Sequence, residues 1–180
     1  MKLEAQFENK NGKLFSIKTG NEIDTGNLVR VNAALIEVPE LAAAEFAKNH
    51  SDHDTVLLGI CINWKEIEIS NGVYNEEFLA VLRGFLKKIE MQGMYAVIIP
   101  ETNGAAGGDS LASYTAAMVH TARRIKDCES VVGFAFPEEL AGDDFAVSSF
   151  IDIMAIKHAH YVYFSPKSTH NMRLISYQMR

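Results

Sequence analysis

Two carboxylates follow an apolar segment in the second half of the chain, and they are the residues best suited to acid–base chemistry. The segment VVGFAFPEEL spans residues 131–140, and Glu138 and Glu139 come directly after Pro137. A carboxyl beside a buried strand loses solvent, which favours its protonated form and suits it to donate a proton. Glu138 is therefore the candidate general acid/base, and Glu139 replaces it if the register shifts by one residue. The alternative is that both carboxylates only form the polar start of a loop.

Further apolar segments also end in side chains that suit carbohydrate binding. Amides bind sugar hydroxyls, an aromatic ring stacks on the apolar face of a sugar, and a second carboxylate completes an acid–base pair. Glu101 is the candidate second catalytic carboxylate, and Asp143, Asp144 or a carboxylate of another chain are the alternatives. The candidate substrate-binding residues are Trp64, Asn63, Asn103 and Asn32. Each also has a structural alternative, because loop asparagines stabilise turns and a lone tryptophan packs in a core.

Two other polar segments favour loops over binding sites. The Gly-rich segment NGAAGGDS (residues 103–110) precedes a predicted helix and could bind an anion, but it matches neither the Walker nor the dinucleotide pattern. The segment HSDHD (residues 50–54) has metal-binding residue types, but it precedes a strand and so lies away from the ligand-binding end of a parallel sheet. We therefore expect no metal site and no cofactor.

Composition excludes several classes of partner. Among 180 residues, 48% are apolar and the net charge is −6 with scattered Lys and Arg, so a core can form and nucleic-acid binding is disfavoured. No run reaches the roughly 18 apolar residues of a membrane span. The start MKLEAQFENK has no apolar signal segment, and two cysteines form no disulfide framework. We therefore expect a cytoplasmic protein without membrane or nucleic-acid partners.

Hydrophobic periodicity predicts an α/β protein, with a parallel sheet of about five βα units after an N-terminal hairpin. We expect one domain over residues 1–180, with the hairpin in 1–20, the βα repeats in 27–165 and a C-terminal extension in 166–180. The predicted strands are Leu28–Ile36, Val56–Trp64, Tyr95–Ile99, Val131–Phe136 and Tyr161–Phe164. The predicted helices are Pro39–Lys48, Asn75–Gln92, Leu111–Ile125 and Phe145–Ala159. The segment MRLISYQM near the end is too short to classify.

The segment INWKEIEISNGVYNEEFLAVLRGFLKKIEMQGMYAVII resembles the second-to-third strand region of cellulase-like glycoside hydrolases, the endoglucanases and mannanases with a (β/α)8 barrel. The opening NGKLFSIKTGNEI and NLVRVNAAL are similar to the bottom-plugging hairpin and first strand of those enzymes. VVGFAFPEEL falls where the family carries an Asn-Glu pair on strand four, and its Glu is the general acid/base. The resemblance, over about residues 7–165, implies a partial (β/α)8 barrel with Glu138 as the acid/base.

The chain departs from that family pattern at several positions. Gly59 stands in place of an Arg on the second strand, and Pro137 in place of the Asn before the acid/base. The His after strand three is absent, and about five strands leave the strand-seven nucleophile without a counterpart. Two hypotheses follow: a hydrolase acting on β-linked glycosides, and an inactive half-barrel that binds carbohydrate or protein. A partial barrel exposes sheet edges, and three solutions are open: two chains pair, the C-terminal NMRLISYQMR covers one edge, or the sheet stays open. Of these we predict a homodimer formed through the edges.

Overall fold

The computed structural model describes residues 4–36, 56–104, 106, 108 and 110–180. Its strands are β1 (Phe7–Lys10), β2 (Lys13–Ser16), β3 (Glu22–Ile23), β4 (Val29–Asn32), β5 (Leu57–Asn63), β6 (Glu68–Ser70), β7 (Val73–Tyr74), β8 (Tyr95–Glu101), β9 (Val131–Ala135), β10 (Val162–Ser165) and β11 (Leu174–Ser176). Its helices are α1 (Ala33–Ile36), α2 (Trp64–Ile67), α3 (Glu76–Met91), α4 (Ser110–Arg124) and α5 (Asp144–His158), with a 3₁₀ turn at Glu138–Leu140.

The predicted α/β fold with a parallel sheet is confirmed. Six strands lie in the order β11-β10-β9-β8-β5-β4, and each neighbouring pair is parallel. The predicted strand Leu28–Ile36 is shorter in the structure, because the chain turns into α1 after Asn32. The predicted helix Pro39–Lys48 lies outside the described residues. The unclassified segment MRLISYQM contains the sixth strand, β11.

The C-terminal segment joins the two outer strands of this sheet. β11 pairs with β10, and the residues after it pair with the chain at the start of β4 through a parallel bridge between Leu28 and Met179. The backbone N–H of Leu28 donates to the Gln178 carbonyl at 2.8 Å, and that of Arg180 donates to the Leu28 carbonyl at 3.1 Å. Our expectation of two exposed sheet edges was wrong, since the strands form a closed ring of six.

Closure divides the buried side chains into two clusters. The outer cluster lies between the strands and the helices, and it includes Leu82 and Phe85 of α3 and Phe150 of α5. The inner cluster fills the ring of strands, and its strand residues alternate along the chain, as Ile175, Tyr177 and Met179 do. This alternation is the pattern of a barrel, whose strands point successive side chains inward and outward.

The N-terminal hairpin seals one end of the ring. β1 pairs with β2 and β2 with β3, all antiparallel, so the predicted hairpin is confirmed and has a short third strand. Phe7, Leu14 and Ile23 of these strands belong to the inner cluster. The Phe7 ring packs edge-on against Tyr95, the first residue of β8, with centroids 4.9 Å apart. The hairpin therefore closes the end of the ring at which the parallel strands begin.

Two glycines allow close packing, one between neighbouring strands and one among the side chains inside the ring. Val131 pairs with Ala96 and Gly133 with Val97, so Val132 is an extra residue that forms a β-bulge in β9. A Cβ at Gly133 would lie 1.7 Å from the Val162 carbonyl oxygen of β10. A Cβ at Gly59 would lie 2.9 Å from Ile99 Cδ1 and 3.2 Å from Met179 Sδ. Closure of the ring by Met179 therefore occupies the space that a longer side chain at position 59 would need.

Candidate functional site

The carboxyl ends of the strands form a rim opposite the hairpin, and charged side chains meet there. Arg30 of β4 and Glu101 of β8 both extend towards the strand between them, β5, and Arg30 Nη2 lies 2.5 Å from Glu101 Oε1. The Arg30 Nε–H donates to Asn32 Oδ1 at 3.0 Å. Since both side chains of the ion pair are about 40% exposed or more, the pair faces solvent at the rim.

Below this ion pair lie two buried groups, Cys61 and Tyr177. Burial raises the pKa of the Cys61 thiol to about 11, the positive charge of Arg30 opposes that shift, and Glu101 adds to it. Cys61 Sγ lies 3.7 Å from Met179 Sδ. Burial also raises the pKa of the Tyr177 hydroxyl, and the nearby Cys61, Glu101 and Glu138 raise it further, whereas Arg30 lowers it. Both candidate catalytic carboxylates, Glu101 and Glu138, therefore contribute to the raised pKa of Tyr177.

Glu138 and Glu139 begin the 3₁₀ turn that follows β9, and both are exposed. Glu138 forms an ion pair with Lys167, which lies just after β10, and its side chain is 52% exposed. Glu139 points elsewhere and accepts a hydrogen bond from the buried Thr102 hydroxyl. The two neighbouring carboxylates thus have separate partners. Of these two neighbouring carboxylates, Glu138 is the one that raises the pKa of Tyr177, as Glu101 also does.

The two predicted binding residues after β5 have structural contacts. The Asn63 side-chain oxygen accepts a hydrogen bond from the Lys65 N–H at 2.9 Å, and Glu66 accepts one from the Asn63 N–H, so Asn63 caps α2. Trp64 is partly buried on the outer cluster, edge-on to Tyr114 with centroids 5.8 Å apart. Its indole N–H donates to Glu68 at 2.9 Å. These contacts hold Trp64 on the helix side of the strands.

Asn103 and Asn32 differ in how they relate to the rim. Asn103 is exposed and has a φ of 51°, and Gly104 follows with a φ of 77°, so this pair forms a turn after β8. Asn32 accepts from Arg30, which connects it through that guanidinium to Glu101. The structure therefore brings Asn32 and Glu101 together, and it places Asn103 in the loop beyond them.

Three residues near the candidate carboxylates were missed from the sequence: Arg30, Lys167 and Tyr177. A signal for two of them was present, because Leu28, Arg30 and Asn32 alternate along β4, as Ile175, Tyr177 and Met179 do at the C-terminus. Within the described residues, no group of three or more His, Cys, Asp or Glu side chains is arranged to hold a metal ion. The segment HSDHD lies outside the described residues.

The fold is similar to solved structures of glycoside hydrolases. Endo-glycoceramidase II from Rhodococcus sp., solved as a cellobiose-like isofagomine complex, matches 89% of this chain with a TM-score of 0.62 and 12% identity. A GH5_18 protein from Bifidobacterium longum subsp. infantis matches 79% of the chain at 0.56 and 9% identity. A GH5_18 protein from Streptomyces cattleya, solved in complex with GlcNAc, matches 81% at 0.58 and 8% identity.

These matches confirm the fold resemblance that the sequence motifs indicated. The chain spans about half the length of the solved structures, 51%, 43% and 45% of the three chains respectively. No protein-family model matches the sequence, and no curated protein matches it either. Within the part of the chain that the structure describes, no helix is both long and apolar enough to span a membrane.

Proposed function

We propose that this protein is glycoside hydrolase-like in function as well as in fold, and that it acts on or binds β-linked carbohydrate at the rim. The observation that supports this most directly is the Arg30–Glu101 ion pair at the carboxyl ends of the strands, with Glu138 near enough to raise the pKa of the buried Tyr177 together with Glu101. Ligands of parallel α/β barrels bind at that end. A pair of carboxyls beside hydroxyl and guanidinium donors is the chemistry that glycosidic bonds require.

In this proposal, Glu138 is the general acid/base. Its carboxyl gives a proton to the glycosidic oxygen as the bond to the anomeric carbon breaks, so the leaving sugar departs as an alcohol. Glu101 is the second carboxylate, and it is held by Arg30. In one course, Glu101 takes a proton from a water molecule that attacks the anomeric carbon. In the other course, the Glu101 carboxylate itself attacks the anomeric carbon, and water then hydrolyses the covalent intermediate. Carboxyls about 5 Å apart lead to direct attack by the carboxylate, and carboxyls about 6.5–9.5 Å apart leave room for the attacking water.

The test is turnover of a panel of chromogenic β-glycosides by the wild type and by the Glu138→Gln variant. Removing a general acid lowers turnover by about 10²- to 10⁴-fold, and we expect a loss of that size. Glu129→Gln is the matched control, since Glu129 is an exposed carboxylate near the hairpin end, within 3.5 Å of Gln6. Equal losses in both variants would count against a role for Glu138 at the rim.

A second candidate function is carbohydrate binding without hydrolysis. It is favoured by the exposure of both carboxylates and by their pairing with Arg30 and Lys167, because a general acid is usually a buried carboxyl that stays protonated. In that case the chain shows no turnover, and titration calorimetry detects binding of β-linked oligosaccharides that survives Glu138→Gln. If neither turnover nor binding is found, both functions are wrong.

We also propose a cytoplasmic location. The support comes from the thiols, since Cys61 and Cys128 are both buried and free. Free thiols persist in reducing compartments. Fractionation of cells that express the chain would test this, and recovery outside the cytoplasm would contradict it.

A further inference from the structure

Helix α5 carries apolar residues on its outward side as well as on its inward side. Its inward residues belong to the outer cluster, among them Phe150 and Met154. On the opposite side, Phe145 is 81% exposed and Ile156 is 75% exposed, and Ile153 beside them is 43% exposed. A surface helix normally carries polar residues on its solvent side. A stripe of exposed apolar side chains that includes a phenylalanine is typical of a protein–protein contact.

The stripe is left uncovered by the way the chain passes from β10 to β11. Residues 166–173 make this crossover, all of them are described, and they form no helix. On its other side α5 packs against α4. The crossover contacts α5 through two polar pairs, in which Asn171 donates to Asp144 Oδ1 at 2.9 Å and Arg173 donates to Asp152 Oδ1 at 2.7 Å. The outward line of α5 therefore has no neighbouring helix in the described chain.

The order of residues along this line makes it complementary to itself. Helical spacing places Phe145, Ser149, Asp152 and Ile156 on one line, one above another. When a second copy of α5 is laid against it in the antiparallel direction about a two-fold axis, Phe145 faces Ile156 and Ser149 faces Asp152. The apolar ends then cover each other, and each Ser149 hydroxyl can donate to Asp152 of the second copy, whose Oδ1 also accepts from Arg173 of its own chain.

We propose that this face of α5 binds a second copy of the chain through the two-fold antiparallel contact. A two-fold contact uses the same patch on both copies, so a self-complementary helix is sufficient for it. In the antiparallel pair, the positive end of each helix dipole lies beside the negative end of the other, which is favourable. Serine at position 149 is small enough to allow close approach of the helices. This dimer replaces the one expected from exposed sheet edges, which the C-terminal segment removes.

The first test compares the mass of the wild type and the Ile156→Lys variant by light scattering coupled to size-exclusion chromatography. We expect the wild type to be a dimer at tens of micromolar, and Ile156→Lys to raise the dissociation constant by about tenfold or more. Met91→Lys is the control, since Met91 is 80% exposed at the end of α3 and should leave the dimer intact. A monomeric wild type, or equal dissociation in both variants, would overturn the proposal.

The second test checks the register by covalent capture, which accumulates cross-linked dimer even where the substitutions weaken the contact. Under mild oxidation, the double variant Phe145→Cys/Ile156→Cys should form intermolecular disulfides between opposite ends of the two helices. Phe145→Cys alone should not, because the two-fold axis places its two copies far apart. The native Cys61 and Cys128 are buried and leave the background low. Equal cross-linking of the single and double variants would exclude the antiparallel two-fold arrangement.

Discussion

The two sides of the barrel strands are packed by different parts of the sequence. The outer side is covered by long helices, and a single helix such as α3 contributes five buried residues, Leu79, Leu82, Phe85, Leu86 and Ile89. The inner side is filled mostly by one or two residues from each short strand, together with three from the hairpin. The outer cluster therefore rests on local periodicity, whereas the inner cluster depends on the ring being closed by residues far apart in sequence.

The largest effect that we expect is at Gly133, which lies against the backbone of Val162 in the neighbouring strand. Gly133→Ala would place a Cβ 1.7 Å from the Val162 carbonyl oxygen and force β9 and β10 apart. We expect a loss of more than about 4 kcal/mol in the free energy of unfolding, or no folding at all. Gly84→Ala in α3 is the control, because nothing lies within 4 Å of its Cβ and helix propensity predicts a gain of up to about 1 kcal/mol. Urea denaturation measures both free energies of unfolding, and equal values for the two variants would contradict the close packing of Gly133 against β10.

A matched pair of isoleucines tests whether the inner cluster is as well packed as the outer one. Ile175 of β11 and Ile89 of α3 are both fully buried, one in each cluster. Because the ring is closed, Ile175→Ala should lower the free energy of unfolding by about 2–5 kcal/mol, in the same range as Ile89→Ala. Urea denaturation measures both. A cost below about 1 kcal/mol for Ile175→Ala alone would mean that the C-terminal strand is not packed inside the ring.

The same difference explains what the sequence predicted and what it did not. The helices Asn75–Gln92 and Leu111–Ile125 were found within a few residues because their apolar positions recur with helical spacing. The strand β11 was not classified, because a three-residue strand has too little pattern to distinguish it from a loop. Coverage of an edge by the C-terminal segment was one of three alternatives, and the sequence could not select it, since closure depends on a pairing between Leu28 and Met179.

The candidate site was predicted unevenly for a related reason. The strand-end rule selected Glu101 and Glu138, and both lie at the carboxyl ends of strands as predicted, since the end of an apolar run can be read locally. It also selected Asn63 and Trp64. Asn63 instead caps α2, and Trp64 packs against the outer cluster. Which way a strand-end side chain points depends on the register between strands, and a single sequence does not give that register. Arg30 and Tyr177 were missed because their relation to Glu101 exists only across the ring.

The two thiols report on the two clusters separately, because Cys61 lies in the inner cluster and Cys128 in the outer one. Burial raises the pKa of Cys61 to about 11 and that of Cys128 to about 12, so both should react slowly with a disulfide reagent near pH 8. Met179→Ala removes the side chain that lies against Cys61. We expect it to speed labelling of Cys61 by about tenfold or more, with Cys128 changed much less. Single Cys→Ser variants assign the two rates, and equal acceleration would indicate general unfolding instead.

The smallest effect that we predict comes from His158, at the end of α5 in the outer layer. Its side chain is buried, and neither ring nitrogen has a hydrogen-bond partner among the residues that the structure describes. Burial lowers the pKa of His158, and the positive charges of Lys126, Lys157 and Arg123 lower it further. The unfolded chain therefore takes up a proton first as the pH falls below about 6.5, the ordinary value for histidine.

The stability of the folded chain should consequently be unaffected by His158 above that pH and should fall as the pH drops below it, until the folded-state pKa is passed. His158→Gln removes this titration, so the slope of unfolding free energy against pH between about 6.5 and 5 should become shallower than in the wild type. His170→Gln is the control, since His170 is exposed in the crossover after β10. Urea denaturation at several pH values measures the slopes, and an unchanged slope in His158→Gln would show that the buried ring does not stay neutral on folding. Because no inner-cluster residue titrates in this range, the acid sensitivity assigned to His158 belongs to the helix layer alone.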